Sequence, residues 1–205
     1  MSERTAPLTQ RAHAALGSVL GPGDVAVDAT AGNGHDTLFL AGRVAPTGRI
    51  HAFDVQPAAL AATRARLAKA GMEDRVTLHQ AGHERMPEVL PESVAGRVRA
   101  VVFNLGYLPG SGDKAVTTLP ATTARGLAAA RTILAPEGLI SVLVYRGHPG
   151  GPAEAEAVRV WLGRCAAAGD RVESYDSPGP ILHLVCRSPE PAGAHSPASG
   201  DRPRK

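Results

Sequence analysis

The stretch VDATAGNGHDTLFLA, residues 27–41, carries the strongest fold signal in the chain. An apolar run stops at Asp28, passes two glycines on either side of Asn33, and resumes at once with helical spacing. Gly32 and Gly34 allow a sharp turn and let backbone N–H groups come close to a ligand. A strand that ends in such a turn and leads into a helix is typical of sites that hold a nucleotide-like cofactor.

Length and composition favour a single globular domain. The 205 residues suit one core, and a hydrophobic content of 43% argues against wholesale disorder. A net charge of +3 permits a polyanionic partner without requiring one. The first residues lack a signal-peptide core and no apolar run is long enough to cross a bilayer, so we expect a cytoplasmic protein without membrane association. Cys165 and Cys186 are expected to be reduced thiols, and no residue spacing predicts a metal site.

Strands and helices alternate along the chain, which predicts an α/β fold. We expect a mostly parallel seven-stranded sheet with helices on both faces and a C-terminal antiparallel hairpin. The domain is expected to span residues 1–187, followed by a disordered tail over 188–205. The predicted strands are 24–29, 48–55, 75–80, 98–105, 138–145, 170–177 and 180–187, and the predicted helices are 35–41, 57–70, 117–134 and the segment after Gly151.

Two classes of cofactor compete for the first turn. A dinucleotide fingerprint requires a third glycine or alanine where Thr37 stands, and Asp36 would repel a pyrophosphate at the helix start. The methionine end of S-adenosylmethionine (SAM) carries an ammonium and a sulfonium, which acidic residues favour. Asp54 ends the second strand, where a carboxylate can accept ribose hydroxyls of either cofactor. We therefore prefer SAM to NAD. The alternative is that Asp28 and Asp36 serve only the turn and the helix start.

An asparagine ends the fourth predicted strand, and a tyrosine follows three positions later. This Asn104–Tyr107 spacing resembles the Asn-Pro-Pro-Tyr loop of SAM enzymes that methylate amino nitrogens. An attacking amine must point its lone pair at the methyl group, so its N–H bonds need acceptors on the other side. The Asn104 side-chain oxygen and the Leu105 carbonyl can supply them, while Tyr107 can stack on a planar base. The alternative is that Asn104 caps the strand and Tyr107 packs in the core.

Five segments together resemble, in order and spacing, the small class I methyltransferases of the rRNA methylase family. The segments are DATAGNGHDTLFLA, AFDVQ, AGHE, FNLGYLPGSGDKAVTT and YRGHPGG, and the resemblance covers roughly residues 8–187. It implies a Rossmann-like class I methyltransferase fold and the last step of 5-methylaminomethyl-2-thiouridine formation at the tRNA wobble position. In that step SAM methylates the primary amine of the aminomethyl group. The implied partner is tRNA, contacted at the anticodon region.

The resemblance also implies roles for individual residues. Departures from the family pattern are an inserted Ser111 and Arg146 where a histidine is common. His148 follows the fifth strand and either contacts substrate or ties down a glycine-rich turn. Residues expected to bind the cofactor are Asp28, Thr30, Gly32, Asn33, Gly34, Asp36 and Thr37 in the first turn, Asp54 and Gln56 at the ribose, His83 beside the adenine, and Asn104. Asn104, Leu105 and Tyr107 border the reacting groups, and Tyr107, Gly112, Asp113, Lys114 and His148 are expected to face the substrate.

Lys114 is one of three lysines in an arginine-rich chain, and we expect it to contact RNA phosphate rather than to be only a solvated loop residue. Trp161 lies on a helical apolar stripe and is expected in the core.

Three rival functions stay open: an rRNA or other nucleic-acid amino-methyltransferase, a non-catalytic SAM- or RNA-binding module, and, less favoured, an NAD-dependent oxidoreductase. No separate RNA-binding domain is evident, and a homodimer would enlarge the surface for tRNA.

Overall fold

The computed structural model describes residues 7–106 and 118–189. Seven strands form one sheet in the order β3-β2-β1-β4-β5-β7-β6. β1 to β5 pair in parallel, and β7 runs antiparallel to both β5 and β6. This arrangement confirms the predicted, mostly parallel sheet and its closing hairpin. The strands are β1 (Val25–Asp28), β2 (Arg49–Asp54), β3 (Val76–Gln80), β4 (Val98–Leu105), β5 (Leu134–Tyr145), β6 (Arg171–Tyr175) and β7 (Pro180–Cys186).

Six α-helices surround the sheet in the described part of the chain. The first of them was not predicted, since its segment has no side-chain cap and buries only Ala12 and Leu16. No helix within the described ranges is long and apolar enough to cross a membrane. The helices are α1 (Leu8–Val19), α2 (His35–Val44), α3 (Pro57–Lys69), α4 (Met86–Val89), α5 (Pro120–Ile133) and α6 (Gly151–Ala167), with 3₁₀ turns at Glu73–Arg75, His83–Arg85 and Glu92–Val94.

The core is divided between the two faces of the sheet, because successive strand residues point to opposite sides. Leu16 and Leu40 belong to the cluster beneath α1 and α2. Phe103, Leu127 and Trp161 belong to the other cluster, beneath α5 and α6. Trp161 is only 5% exposed, which confirms its predicted place in the core.

The strand order reverses between β1 and β4, which are direct neighbours in the sheet. The chain leaves β1 toward β2 on one side and later returns to β4 on the other. In open α/β sheets, ligands bind outside the carboxyl ends of the strands at such a switch point. The fold therefore brings Asp28 and Asn104, which lie at the carboxyl ends of these two strands, to the edge where a ligand is expected.

Candidate functional site

Asp28 is the buried anchor of the turn between β1 and α2. Its side chain has no solvent exposure. One carboxylate oxygen accepts a hydrogen bond from the Thr37 hydroxyl at 2.6 Å, and the other accepts one from the Thr30 N–H at 3.1 Å. Burial, and next the nearby negative charge of Asp36, raise the pKa of Asp28 from 3.8 to about 7. Asp28 thus shapes the turn from below, and its predicted contact with the cofactor stays a prediction.

Gly34 is required by the backbone of this turn. It begins α2 with a φ of 75°, a left-handed conformation that favours glycine. A Cβ at Gly34 would also lie 2.8 Å from Thr63 Cα, so α3 packs directly against the turn. Thr63 in turn donates its hydroxyl to the Gly32 carbonyl at 3.1 Å, and Arg66 donates to the Asn33 carbonyl at 2.7 Å. These contacts fix the loop in the shape that the two glycines allow.

Asp54 joins the first turn to the end of β2. Its Oδ2 accepts the Gly32 N–H and its Oδ1 accepts the Gln56 N–H, each at 2.9 Å. A carboxylate oxygen has more than one lone pair, so each oxygen can accept a further bond from a ribose hydroxyl. The side chain is partly exposed at the sheet edge, as such a contact requires. The ribose contacts of Asp54 and Gln56 stay predictions.

Asn104 lies beside the first turn. Its backbone N–H donates to the Thr30 hydroxyl oxygen at 2.7 Å. Its side-chain Nδ2–H donates to Asp36 Oδ2, which directs the amide nitrogen toward α2. The neighbouring Leu105 is fully buried. The structure thus brings the predicted acceptor, Asn104, against the predicted cofactor turn, although the two are about seventy residues apart in sequence.

A histidine that was not predicted as a site residue also binds Asp36. His13, on α1, donates its Nε2–H to Asp36 Oδ1 at 2.6 Å and stacks its ring on Phe39. Its partner lies 23 positions away, and no local pattern links the two. Both carboxylate oxygens of Asp36 are therefore bonded inside the protein. Asp36 contributes its negative charge to the site while its oxygens already hold His13 and Asn104.

His83 lies deeper than its prediction beside the adenine implies. Its side chain is buried, and the ring meets the edge of Phe103 with 5.5 Å between centroids. A Cβ at Gly126 would lie 2.2 Å from the His83 ring, so α5 packs on it. Burial lowers the pKa of His83, which keeps the imidazole neutral. The sequence-based prediction did not foresee this inward position. An adenine contact stays a prediction and would involve the few exposed atoms of the residue.

A second fully buried carboxylate lies on the opposite side of β4. Glu154 of α6 accepts hydrogen bonds from the Thr118 hydroxyl at 2.8 Å and the Thr123 hydroxyl at 2.6 Å. Thr118 also accepts the Gly106 N–H at 3.0 Å, and its own N–H donates to the Gly106 carbonyl at 3.0 Å. Sequence reasoning missed this network. Its one signal was a glutamate on the same helical stripe as Trp161.

His148 is tied into this second network. The His148 side chain is buried, with Nδ1 2.9 Å from the Pro149 carbonyl and Nε2 3.9 Å from Glu154 Oε2. Of the two alternatives left open by the sequence, this position favours the one in which His148 holds the glycine-rich turn.

Four predicted site residues, Tyr107, Gly112, Asp113 and Lys114, lie outside the described residues, as does the segment 190–205. Within residues 7–106 and 118–189, no three histidine, cysteine or acidic side chains are grouped as metal ligands. Cys165 and Cys186 are both free thiols.

Fold and site together define a class of protein. The sheet order with its antiparallel seventh strand, the glycine turn after β1, the acidic residue at the end of β2 and the asparagine at the end of β4 are those of a class I SAM-dependent methyltransferase. More narrowly, the chain belongs to the family described as "Putative rRNA methylase", whose model matches residues 50–177.

Three relatives support this placement. The chloroplastic tRNA (mnm(5)s(2)U34)-methyltransferase of Arabidopsis thaliana is 44% identical over 161 residues, or 75% of this chain and 58% of that protein. The chain thus spans little more than half the length of this relative. A structure described as a "putative rRNA-methylase" from Clostridium thermocellum is 37% identical with a TM-score of 0.82, over 91% of this chain and 99% of that one. A methyltransferase structure from Streptococcus mutans in complex with SAH is 31% identical with a TM-score of 0.77, over the same shares of the two chains.

Proposed function

We propose that this protein is a SAM-dependent N-methyltransferase that converts the aminomethyl group of the tRNA wobble uridine, in 5-aminomethyl-2-thiouridine, to methylaminomethyl. The observation that carries the proposal is the orientation of Asn104. Its amide nitrogen is bound to Asp36, so its side-chain oxygen is the end left to accept an N–H from a substrate amine. The identity with a plant enzyme named for the same nucleoside supports this choice of substrate.

The residues present fit SAM. Asp36 and Asp54 place negative charge around the first turn, which suits a cationic ligand with a single ribose. Asp54 offers acceptors for ribose hydroxyls, and α2 begins directly after Gly34. When bound, SAM would supply the methyl group that the amine lone pair accepts, with the electron pair of the carbon–sulfur bond left on sulfur in SAH and a proton lost from the product ammonium.

The protein's own task is to present the amine in a neutral, oriented form. A free alkylamine is mostly protonated near pH 7, since the reference pKa of lysine is about 10.4. A nearby sulfonium favours loss of that proton, because its positive charge disfavours the ammonium form. The Asn104 side-chain oxygen and the Leu105 carbonyl then accept the remaining N–H bonds. A neutral acceptor suits this step, because a carboxylate in its place would stabilise the unreactive ammonium form.

Nucleoside mass spectrometry tests the substrate assignment. In tRNA from a strain that lacks the gene, 5-methylaminomethyl-2-thiouridine should disappear and its aminomethyl precursor should accumulate. Purified protein with SAM should then restore the methylated nucleoside on that tRNA. Intact wobble methylation together with the loss of a methylated rRNA nucleoside would instead establish the rRNA alternative.

Calorimetry tests the cofactor assignment. The purified protein should bind SAM and should give no binding heat with NAD. Asp54→Ala should weaken SAM binding by about 1–3 kcal/mol, the usual cost of a lost charge-assisted hydrogen bond. Tight binding of NAD without SAM binding would contradict the proposal, and unchanged SAM affinity in the variant would place the ribose elsewhere.

A further inference from the structure

His13 makes two distinct contacts with α2. Its Nε2–H donates to Asp36 Oδ1 at 2.6 Å, and its ring stacks on Phe39 with centroids 3.9 Å apart and planes 5° apart. The side chains of His13 and Asp36 are 31% and 16% exposed, so the hydrogen bond is partly buried. The ring stack docks one helix on another. The N–H bond, by contrast, reaches a residue of the site.

Asp36 links His13 to Asn104. Its Oδ1 accepts from His13 and its Oδ2 accepts from the Asn104 amide nitrogen. Three elements that are distant in sequence, α1, α2 and the end of β4, are thereby joined through one carboxylate. α1 also closes the space behind this group. Thr9 and Ala12 line, together with Asp36 and Asn104, a small cavity of about 10 Å³, which holds at most about one water.

The orientation of the Asn104 amide matters because its two ends are chemical opposites. The oxygen accepts hydrogen bonds and the NH₂ group donates them. A neutral amine that attacks a methyl group needs an acceptor for its N–H bonds. An NH₂ group in the same place would donate to the amine lone pair, which is the pair that must attack. A carboxylate can only accept, so Asp36 decides which end of the amide it holds and which end it leaves to the substrate.

We propose that His13 is a positioning residue for methyl transfer. By holding Asp36 Oδ1, it fixes the carboxylate so that Oδ2 keeps the Asn104 amide nitrogen and directs the amide oxygen to the amine. This inference rests on the proposed function and adds to it a residue that does not touch the reacting groups. Its effect should fall on the rate of the chemical step, because neither the ribose contacts nor the glycine turn depend on His13.

Two substitutions separate the N–H bond from the ring stack. His13→Phe keeps an aromatic ring against Phe39 but removes the donor. His13→Gln removes the ring but keeps an N–H near the position of Nε2. Phe39→Leu is the matched control, since it removes the stacking partner and leaves the donor. Single-turnover rates at saturating SAM, on tRNA that carries the aminomethyl group, are compared with SAM affinity for all three variants.

His13→Phe should slow the single turnover by about tenfold or more, as a misplaced acceptor would. His13→Gln and Phe39→Leu should stay within about threefold of the wild-type rate, since both keep the donor that orients Asp36. All three should keep SAM affinity within about threefold. A fast His13→Phe with a slow His13→Gln would show that the ring only docks α1, and would overturn the proposal. Equal losses of rate and SAM affinity in both His13 variants would overturn it as well.

A second readout does not depend on activity. In ¹⁵N-labelled protein, the Asn104 side-chain amide is assigned by its loss in Asn104→Asp, and its two protons should have well-separated shifts because one is bonded to a carboxylate. His13→Phe should reduce that separation and His13→Gln should preserve it. Wild-type protein that fails to methylate the aminomethyl tRNA would refute the proposed function, while these spectra would still decide the role of His13. An unchanged spectrum in His13→Phe would refute that role.

Discussion

Asp28 and Glu154 lie on opposite sides of β4 and invite comparison. Both side chains have zero exposure. Each accepts a hydrogen bond of 2.6 Å from a threonine hydroxyl, Thr37 for Asp28 and Thr123 for Glu154. By burial and by partner type the two carboxylates are alike, so what separates them is the charge around them.

Asp28 is surrounded by other acids. The negative charges of Asp36 and Asp54 both add to the effect of burial and raise its pKa to about 7. Glu154 instead has the His148 ring nearby, with Nε2 3.9 Å from its Oε2. Among the described residues, Asp36 and Asp54 place their charges near Asp28, on the side that we propose binds a cationic cofactor. We infer that the negative charges near Asp28 serve ligand binding, whereas Glu154 serves the packing of α5 and α6.

Both networks nevertheless converge on the same few backbone atoms. On one side Thr30 accepts the Asn104 N–H at 2.7 Å, and on the other Thr118 accepts the Gly106 N–H at 3.0 Å. The first threonine is held by Asp28 and the second by Glu154. The end of β4 is therefore fixed from two sides, and this rigidity is what a site that works by positioning requires.

The largest expected effect is on Glu154. Glu154→Gln replaces an acceptor with a donor beside two threonine hydroxyls and leaves at least one polar group unsatisfied. The variant should lose about 2–3 kcal/mol of unfolding free energy in denaturant titrations at pH 7.5. Its SAM affinity should change little. A strong loss of SAM binding without loss of stability would mean that the two sides of β4 are not separate in function.

Asp28→Asn, the matching change on the other side, should behave differently with pH. The folded-state pKa of Asp28 is raised from 3.8 to about 7, so its contribution to stability is complete below about pH 4 and is lost as pH rises toward 7. The amide variant avoids that loss. Its unfolding free energy relative to wild type should increase by about 2 kcal/mol between pH 5 and pH 8. A difference that stays constant over this range would show that Asp28 ionises normally in the folded protein.

The smallest expected effects concern the two threonines. Thr30→Val and Thr118→Val each remove one hydroxyl that accepts a backbone N–H, and each should cost about 1 kcal/mol of stability. They should differ in function. Thr30→Val should weaken SAM binding, since it disturbs the first turn, while Thr118→Val should leave SAM affinity unchanged. Calorimetry on both variants makes the comparison, and identical SAM affinities would remove the distinction between the two sides.

Much of this fold could be predicted from sequence because its signals are local. The apolar runs at β1 and β4 and the glycine turn at Gly34 each occupy a few consecutive residues. The predicted β5 began only at Gly138, because Pro136 and Gly138 are typical of a turn. In the structure the strand begins at Leu134. In the structure Glu137 takes a positive φ of 58° inside that strand.

The candidate site was only partly predictable for the same reason. Asp28, Asp54 and Asn104 lie at the carboxyl ends of their strands, and parallel strands end at a common edge. The partners that orient them do not follow such a rule. His13 meets Asp36 across 23 positions, and Glu154 meets Thr123 across 31. Only tertiary packing determines such pairs, so no periodicity in the chain reveals them.

We propose that Asn104 acts as a neutral acceptor and orients a neutral amine for methyl transfer. The most direct test is the single-turnover rate of Asn104→Asp at saturating SAM, on tRNA that carries the aminomethyl group. We expect a loss of about a hundredfold relative to wild type, with SAM affinity within a few fold, because a carboxylate would hold the amine as ammonium. We also expect the wild-type rate to rise with pH until the bound amine is deprotonated. A near-normal rate in Asn104→Asp would refute this role of Asn104.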